Sequence, residues 1–166
     1  MIVILNGSVG VGKTSVSWAL QELFDKAVML DGDFIGAVHP FEIYDRKRID
    51  HLYQTFAHLV KFHTSHGYSN YILNYVFETP EQIRALHDLL SPLHSEIRAI
   101  YLTCSETEQE KRIKARHTDQ TDWELKRFKE LNNILEKSAW NGDIGQRIDT
   151  TDLSVKAVAQ IIWELL

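Results

Sequence analysis

The chain has 166 residues, 44% of them hydrophobic and 25% charged, which suits one globular domain burying about two-thirds of its unfolded surface. Its formal net charge of −5 at pH 7 offers no basic field of the kind a general nucleic-acid binder needs. One cysteine, Cys104, excludes an internal disulfide; with no leader-like start and no apolar run of membrane-spanning length, the expectation is a cytoplasmic protein.

The first predicted element is a strand, Ile2-Val3-Ile4-Leu5, a continuous apolar run of the kind shown by parallel strands buried on both faces. It leads into Gly7-Ser8-Val9-Gly10-Val11-Gly12-Lys13-Thr14, which fits G-x-x-x-x-G-K-[ST]. Ser15 and an amphipathic helix with Val16, Ala19, Leu20 and Leu23 follow. Strand, loop and helix in this order make the motif specific, because a phosphate cradle needs a strand to aim it and a helix N-terminus behind it. The glycines let backbone N–H groups wrap phosphate oxygens. Lys13 is expected to reach the β- and γ-phosphates of a nucleoside triphosphate, and the Thr14 hydroxyl to ligate Mg²⁺.

A second strand, Ala27–Leu30, ends in Leu30-Asp31-Gly32-Asp33-Phe34. Ligands of open parallel sheets bind beyond these strand ends. Alternate strand residues share a face, so Asp31 and Asp33 converge on one site if the extended geometry persists, and Gly32 allows a close approach. A phosphoryl acceptor needs a carboxylate to take its proton; an Asp-Gly turn closing the strand is the plainer reading. The segment from Phe34 to Tyr44, with His39, Pro40, Phe41 and Glu42, is expected to line an acceptor pocket. A helix over Asp45–His66 follows, with Ile49, Leu52, Tyr53, Phe56, Leu59, Val60 and His63 on one face. Arg46 and Arg48 near its start read either as anion-binding groups or as surface charges. His58, His63 and His66 are not spaced as a ligand pair and read as surface or internally satisfied histidines.

A third strand, Tyr71–Phe77, precedes a helix opened by Thr79-Pro80-Glu81-Gln82. A fourth, Ile97–Thr103, ends at Cys104, which is expected to be buried, and precedes one opened by Ser105-Glu106-Thr107-Glu108. Both are capping boxes, as is Thr121-Asp122-Trp123-Glu124 before the next helix. A fifth strand, Gln146–Ile148, and a helix from about Ser154, turning Val155, Val158, Ile161, Ile162 and Leu165 inward, complete the chain. Trp18, Trp123, Trp140 and Trp163 fall in or beside helices and are expected to pack wholly or partly into the core. Five strands alternating with helices predict a parallel sheet covered on both faces.

The phosphate loop, Asp31-Gly32-Asp33, the Arg112-x-x-x-Arg116 spacing and Ile148-Asp149-Thr150-Thr151 before the last helix together resemble the P-loop small-molecule kinases, such as gluconate kinase, adenylylsulfate kinase, shikimate kinase and chloramphenicol phosphotransferase. The resemblance spans the chain and implies an α/β three-layer sandwich, a five-stranded parallel sheet of order 2-3-1-4-5. It implies one kinase-like domain over residues 1–166, with a lid near 105–122. It further implies ATP and Mg²⁺, held by Gly7, Ser8, Val9, Gly10, Val11, Gly12, Lys13, Thr14 and Ser15. The metal falls to Thr14 and Asp31, the acceptor hydroxyl to Asp33, and the edge of the adenine to Asp149–Leu153 with Thr151. Arg112 and Arg116 match lid arginines that close over the phosphates, Arg116 foremost because it borders the hinge-like His117-Thr118-Asp119-Gln120. The same segment also reads as a solvated helix laced with Glu108–Arg112 and Glu110–Lys114 pairs. Where many P-loop proteins end the third strand with an acid, this chain has Asn74, so metal positioning leans on Thr14 and Asp31. The acceptor implied is a small molecule with a hydroxyl or phosphate, with no nucleic-acid or membrane partner, and the protein a monomer or homodimer. A nucleoside or nucleotide kinase, and a nucleotide-gated regulatory module with slow hydrolysis, are the alternatives.

Overall fold

Every residue of β1, Ile2–Gly7, is buried, because this strand lies at the centre of one parallel sheet and meets helices on both faces. The other strands are β2 (Val28–Asp31), β3 (Tyr71–Asn74), β4 (Ile97–Thr103) and β5 (Gln146–Asp149), in the order β2-β3-β1-β4-β5. The helices are α1 (Lys13–Gln21), α2 (Gly32–Ile35), α3 (Arg46–Ser65), α4 (Pro80–Leu90), α5 (Glu106–Lys114), α6 (Thr121–Asn141) and α7 (Val155–Leu165). This computed structural model describes residues 1–166, the side chain of Asn141 excepted. Among the described residues no helix is long and apolar enough to cross a membrane.

The strand period sorts β1 between two cores. Ile2 and Ile4 pack with Leu52, Phe56 and Val60 of α3 and Leu86 and Leu90 of α4. Val3 and Leu5 face Val16 and Leu20 of α1 and Val158 and Ile162 of α7. Each such side chain contributes about 1.5–3 kcal/mol by leaving water, and together they hold the helices against both faces of the sheet. Register places Asp31 level with Asn74, and Asn74 level with Leu5, so β2 and β3 end where β1 continues into its glycine-rich loop.

Besides the single turn α2, four helices start on side-chain caps: Asp45, Thr79, Ser105 and Ser154 each accept a backbone N–H of the first turn. The box expected at Thr121 does not form. Thr121 is already the first residue of α6, and its hydroxyl donates back to the Thr118 carbonyl at 2.7 Å, inside a tight link that takes His117 through φ 50°. In α7 the buried stripe is Val158, Ala159 and Ile162, while Val155 and Leu165 near the helix ends are exposed. Three of the tryptophans also depart from expectation. Trp18, Trp123 and Trp140 are half or more exposed, Trp140 by 88%, because other side chains fill the core stripes: in α1, Val16 and Leu20 are buried and Trp18, two positions from each, turns outward. Trp163 packs partly, edge-on against Phe24 at 4.8 Å. Cys104 is half-buried rather than buried.

Candidate active site

The loop between β1 and α1 is held from beneath. Asn6, fully buried, accepts the N–H groups of Gly7 and Phe77 and donates to the carbonyls of Phe77 and Ile144. The Val9 carbonyl accepts from buried Gln109 at 2.7 Å. The Val11 carbonyl accepts from Thr150 at 3.0 Å and Arg112 at 3.4 Å. The Ser8 carbonyl takes the Lys13 ammonium at 3.1 Å, and the Ser8 hydroxyl reaches the Phe128 carbonyl. With these carbonyls committed to protein donors, the loop amides and the N-terminus of α1 remain for a ligand, and both favour an anion. Gly10 and Gly12 hold φ 83° and 103°, conformations costing a residue with a side chain about 1–2 kcal/mol. Burial pushes the Lys13 ammonium below its ordinary pKa, against the pull of Asp33 and Asp31, and Arg116 pushes it further down. A half-buried ammonium beside a second cation is in an environment that an anion improves.

Asp31 and Asp33 meet this loop by a different route from the one expected. The strand stops at Asp31, which caps the single turn α2 by accepting the Asp33 N–H at 2.9 Å. Its other oxygen accepts the Thr14 hydroxyl at 2.9 Å, locking the loop to β2. Helical turn rather than strand alternation therefore brings the Asp33 carboxylate to the cleft that Lys13 and Thr14 line. Desolvation there raises the Asp33 carboxyl above its ordinary pKa, although Lys13 and Arg48 pull it down.

Gly32 allows a close approach, and what approaches is the Tyr75 ring: a Cβ built at Gly32 would lie 2.6 Å from it. That ring is hemmed by Phe77 at 5.7 Å, and its hydroxyl accepts from Arg48 at 3.1 Å. Gly32→Ala is expected to overpack the turn by about 1–3 kcal/mol. A thermal melt would then show the midpoint falling by about 2–4 °C for each kcal/mol lost; an unchanged midpoint would refute the contact.

A cleft of about 1000 Å³ runs from Gly10, Lys13 and Thr14 past Asp33 to Phe41, Tyr44 and Tyr75. Phe34, 77% exposed, lies outside it. Of the two arginines opening α3, Arg46 is exposed at the surface and Arg48 is buried in the cleft wall. Arg127, which carried no sequence signal, is buried opposite, with Glu78, Glu130 and the Tyr44 hydroxyl as partners. Arg116 lines the cleft with Lys13 and Asp33 and pairs with Glu124 at 3.3 Å; the second Glu124 oxygen is buried without a partner.

Arg112 sits elsewhere. It donates to the Thr150 carbonyl at 2.8 Å and hydroxyl at 3.0 Å, pairs with Glu108 at 3.1 Å, and so staples α5 to the segment after β5. Both ion pairs of a laced helix, Glu108–Arg112 and Glu110–Lys114, are present. Thr151 accepts the Ser105 N–H and donates to Asp149. Asn74 donates to the Ser17 hydroxyl within the sheet–α1 interface.

This donor set fits a metal-bound polyphosphate better than a resident metal. Among the described residues no group of three or more His, Cys, Asp or Glu side chains is placed to hold an ion. One hydroxyl and one carboxylate, Thr14 and Asp31, instead suit Mg²⁺ that keeps waters and takes the rest of its shell from phosphate oxygens.

A family model described as an AAA domain matches residues 2–137. Among solved structures, the tunicamycin resistance protein of Deinococcus radiodurans aligns with TM-score 0.69 and 18% identity, over 99% of this chain and 94% of that one. Shikimate kinase from Acinetobacter baumannii, in complex with shikimate, gives 0.61 and 20% over 99% and 91%. A gluconokinase from Sinorhizobium meliloti gives 0.58 and 13% over 98% and 94%. No curated protein matches. At these identities the likeness is one of fold.

Proposed function

This chain belongs to the AAA domain family, and we propose that within it the protein is an ATP-dependent kinase that phosphorylates a hydroxyl of a small-molecule acceptor. One observation carries the reading: the cleft continues well past the phosphate loop and Asp33 into space that a nucleotide-gated switch has no use for. The fold shared with shikimate kinase and gluconokinase supports it.

In this reading the loop amides and Lys13 hold the β- and γ-phosphates, and Thr150, Thr151 and Arg112 form the wall for the base. Mg²⁺, placed by Thr14 and Asp31, would neutralise phosphate charge and orient the γ-phosphoryl group. The acceptor oxygen attacks the γ-phosphorus, the bond to the β-phosphate oxygen breaks, ADP leaves, and the acceptor proton passes to Asp33. Its raised pKa makes Asp33 a stronger base than an ordinary carboxylate. Arg116 faces the same space and offsets charge that develops during transfer, exchanging Glu124 for phosphate oxygens.

The test is a screen of hydroxylated metabolites, nucleosides and antibiotics, reading ADP release. At least one compound is expected to raise ADP release well above the acceptor-free rate in a Mg²⁺-dependent manner. If none does while ATP binds, the kinase reading fails and a nucleotide-gated module takes its place.

A further inference from the structure

We propose that the acceptor is an acid: a hydroxylated molecule whose carboxylate or phosphate is received by Arg48 while its hydroxyl meets Asp33. This deepens the kinase reading and rests on it for the identity of the cleft. Two buried arginines line the cleft and differ in one respect. Arg48 and Arg127 are 6% and 8% exposed, and each lies over an aromatic ring, Phe41 at 4.6 Å and Tyr44 at 5.7 Å. Arg127 is neutralised by Glu78 and Glu130, so its charge is spent within the protein. Arg48 is bound by neutral groups alone: the carbonyls of Glu42 and Ile43, at 2.9 and 2.8 Å, and the Tyr75 hydroxyl at 3.1 Å. Among the described residues it forms no ion pair.

A guanidinium buried without a counter-ion is unfavourable unless something else supplies one. Its carbonyl partners hold the fork in place, which lowers the ordering cost of receiving a planar anion. Nε and Nη2 are committed, whereas Nη1 has no protein partner among the described residues and is not among the orphaned buried atoms. It therefore opens on the cleft that Arg48 lines. A second donor stands on the same wall. The Gln82 carbonyl oxygen accepts the Glu78 N–H at 2.6 Å; since that N–H can only donate, the Gln82 amide nitrogen is the end left for a ligand. The cleft's own carboxylates are otherwise engaged, Glu78 with Arg127 and Glu124 with Arg116, and Asp33 waits on the acceptor hydroxyl. The Arg48 field reaches Asp33, so anion and hydroxyl would occupy one continuous space. A neutral polyol or an uncharged base leaves Arg48 without its counter-ion.

The test uses the intact protein with its phosphate loop filled by Mg²⁺ and the non-hydrolysable analogue AMPPNP, so that added anions cannot bind there. Matched pairs are titrated by calorimetry: glucuronate against glucose for the carboxylate arm, and glucose 6-phosphate against glucose and uridine 5′-monophosphate against uridine for the phosphate arm. At least one acid is expected to bind tenfold or more tighter than its neutral partner, and the arm in which it does so identifies the anion. Arg48→Met should erase that preference while AMPPNP affinity stays within twofold. Should Arg48→Met fail to bind AMPPNP, Arg48→Lys, which keeps the charge and loses the fork, should retain only part of the preference. Acids that bind no better than their neutral partners, a panel in which no acid binds, or a preference unmoved by either variant overturns the proposal. An acid that binds through Arg48 but never releases ADP from ATP leaves this site standing and removes the kinase reading instead.

Discussion

Lys13→Ala is expected to abolish nucleotide binding while raising the melting temperature of the ligand-free protein. With ATP at a hundredfold its Kd, binding stabilises the folded state by about 2.7 kcal/mol. For a domain of this size that corresponds to an upward shift of about 5–10 °C. The variant should lose this shift and show no heat of ATP binding by calorimetry, because no other lysine lines the cleft. The opposite effect on the empty protein follows from the depressed Lys13 pKa. Between that value and the ordinary lysine pKa the unfolded chain binds more protons than the folded one, so stability rises with pH across that window. Below the ordinary lysine pKa, holding the ammonium charged or giving up its proton costs the fold free energy in either case. Alanine removes that cost. A variant that keeps the ATP-induced shift, or whose empty form melts well below the parent, would show that the ammonium is not the anion anchor.

The parts of this site that were legible in the sequence are those whose chemistry is local. Gly10, Gly12 and Lys13 declare themselves because a strand, a positive-φ loop and a helix N-terminus must be consecutive. The strand order is readable once the loop is matched to its relatives. What escaped is set by tertiary packing. Asp31 and Asp33 do converge near the loop, but through a capped helical turn that Asp-Gly-Asp permits and strand periodicity does not anticipate. Gln109 and Ile113, four residues apart on an otherwise polar helix, are both buried and were the available hint that α5 packs beneath the loop. Asn6, a lone polar residue ending an apolar run, was the corresponding hint for the strut from the loop to Phe77 and Ile144. Arg127 had no hint, because its partners Glu78 and Tyr44 lie 49 and 83 residues away in the chain. Three tryptophans misled because size favours burial on average, whereas helix phase decides each case.

Asp33→Asn is expected to lower kcat on a confirmed acceptor by about 10²–10⁴-fold, the usual contribution of a positioned general base, with the ATP-induced melting shift retained. The contrast with Asp31 makes this specific. Asp31 accepts the Thr14 hydroxyl and caps α2, so Asp31→Asn should disturb metal–nucleotide binding and stability together. Asp33 makes no such structural bond, and its raised carboxyl pKa points to a group held at some cost to the fold. Between the ordinary aspartate value and the raised one, the folded protein binds more protons than the unfolded chain, so stability falls as pH rises through that interval. Above that interval the ionised carboxylate keeps this penalty, and Asn should relieve it, leaving the empty variant as stable as the parent or more so. Activity runs the other way. As pH falls, the base is lost on protonation, so kcat/KM of the parent should decline with an apparent pKa above that of an ordinary carboxylate, and this acid limb should be absent from the residual activity of Asp33→Asn. Near-normal turnover by the variant, or an acid limb that survives it, would move the proton acceptor to another group.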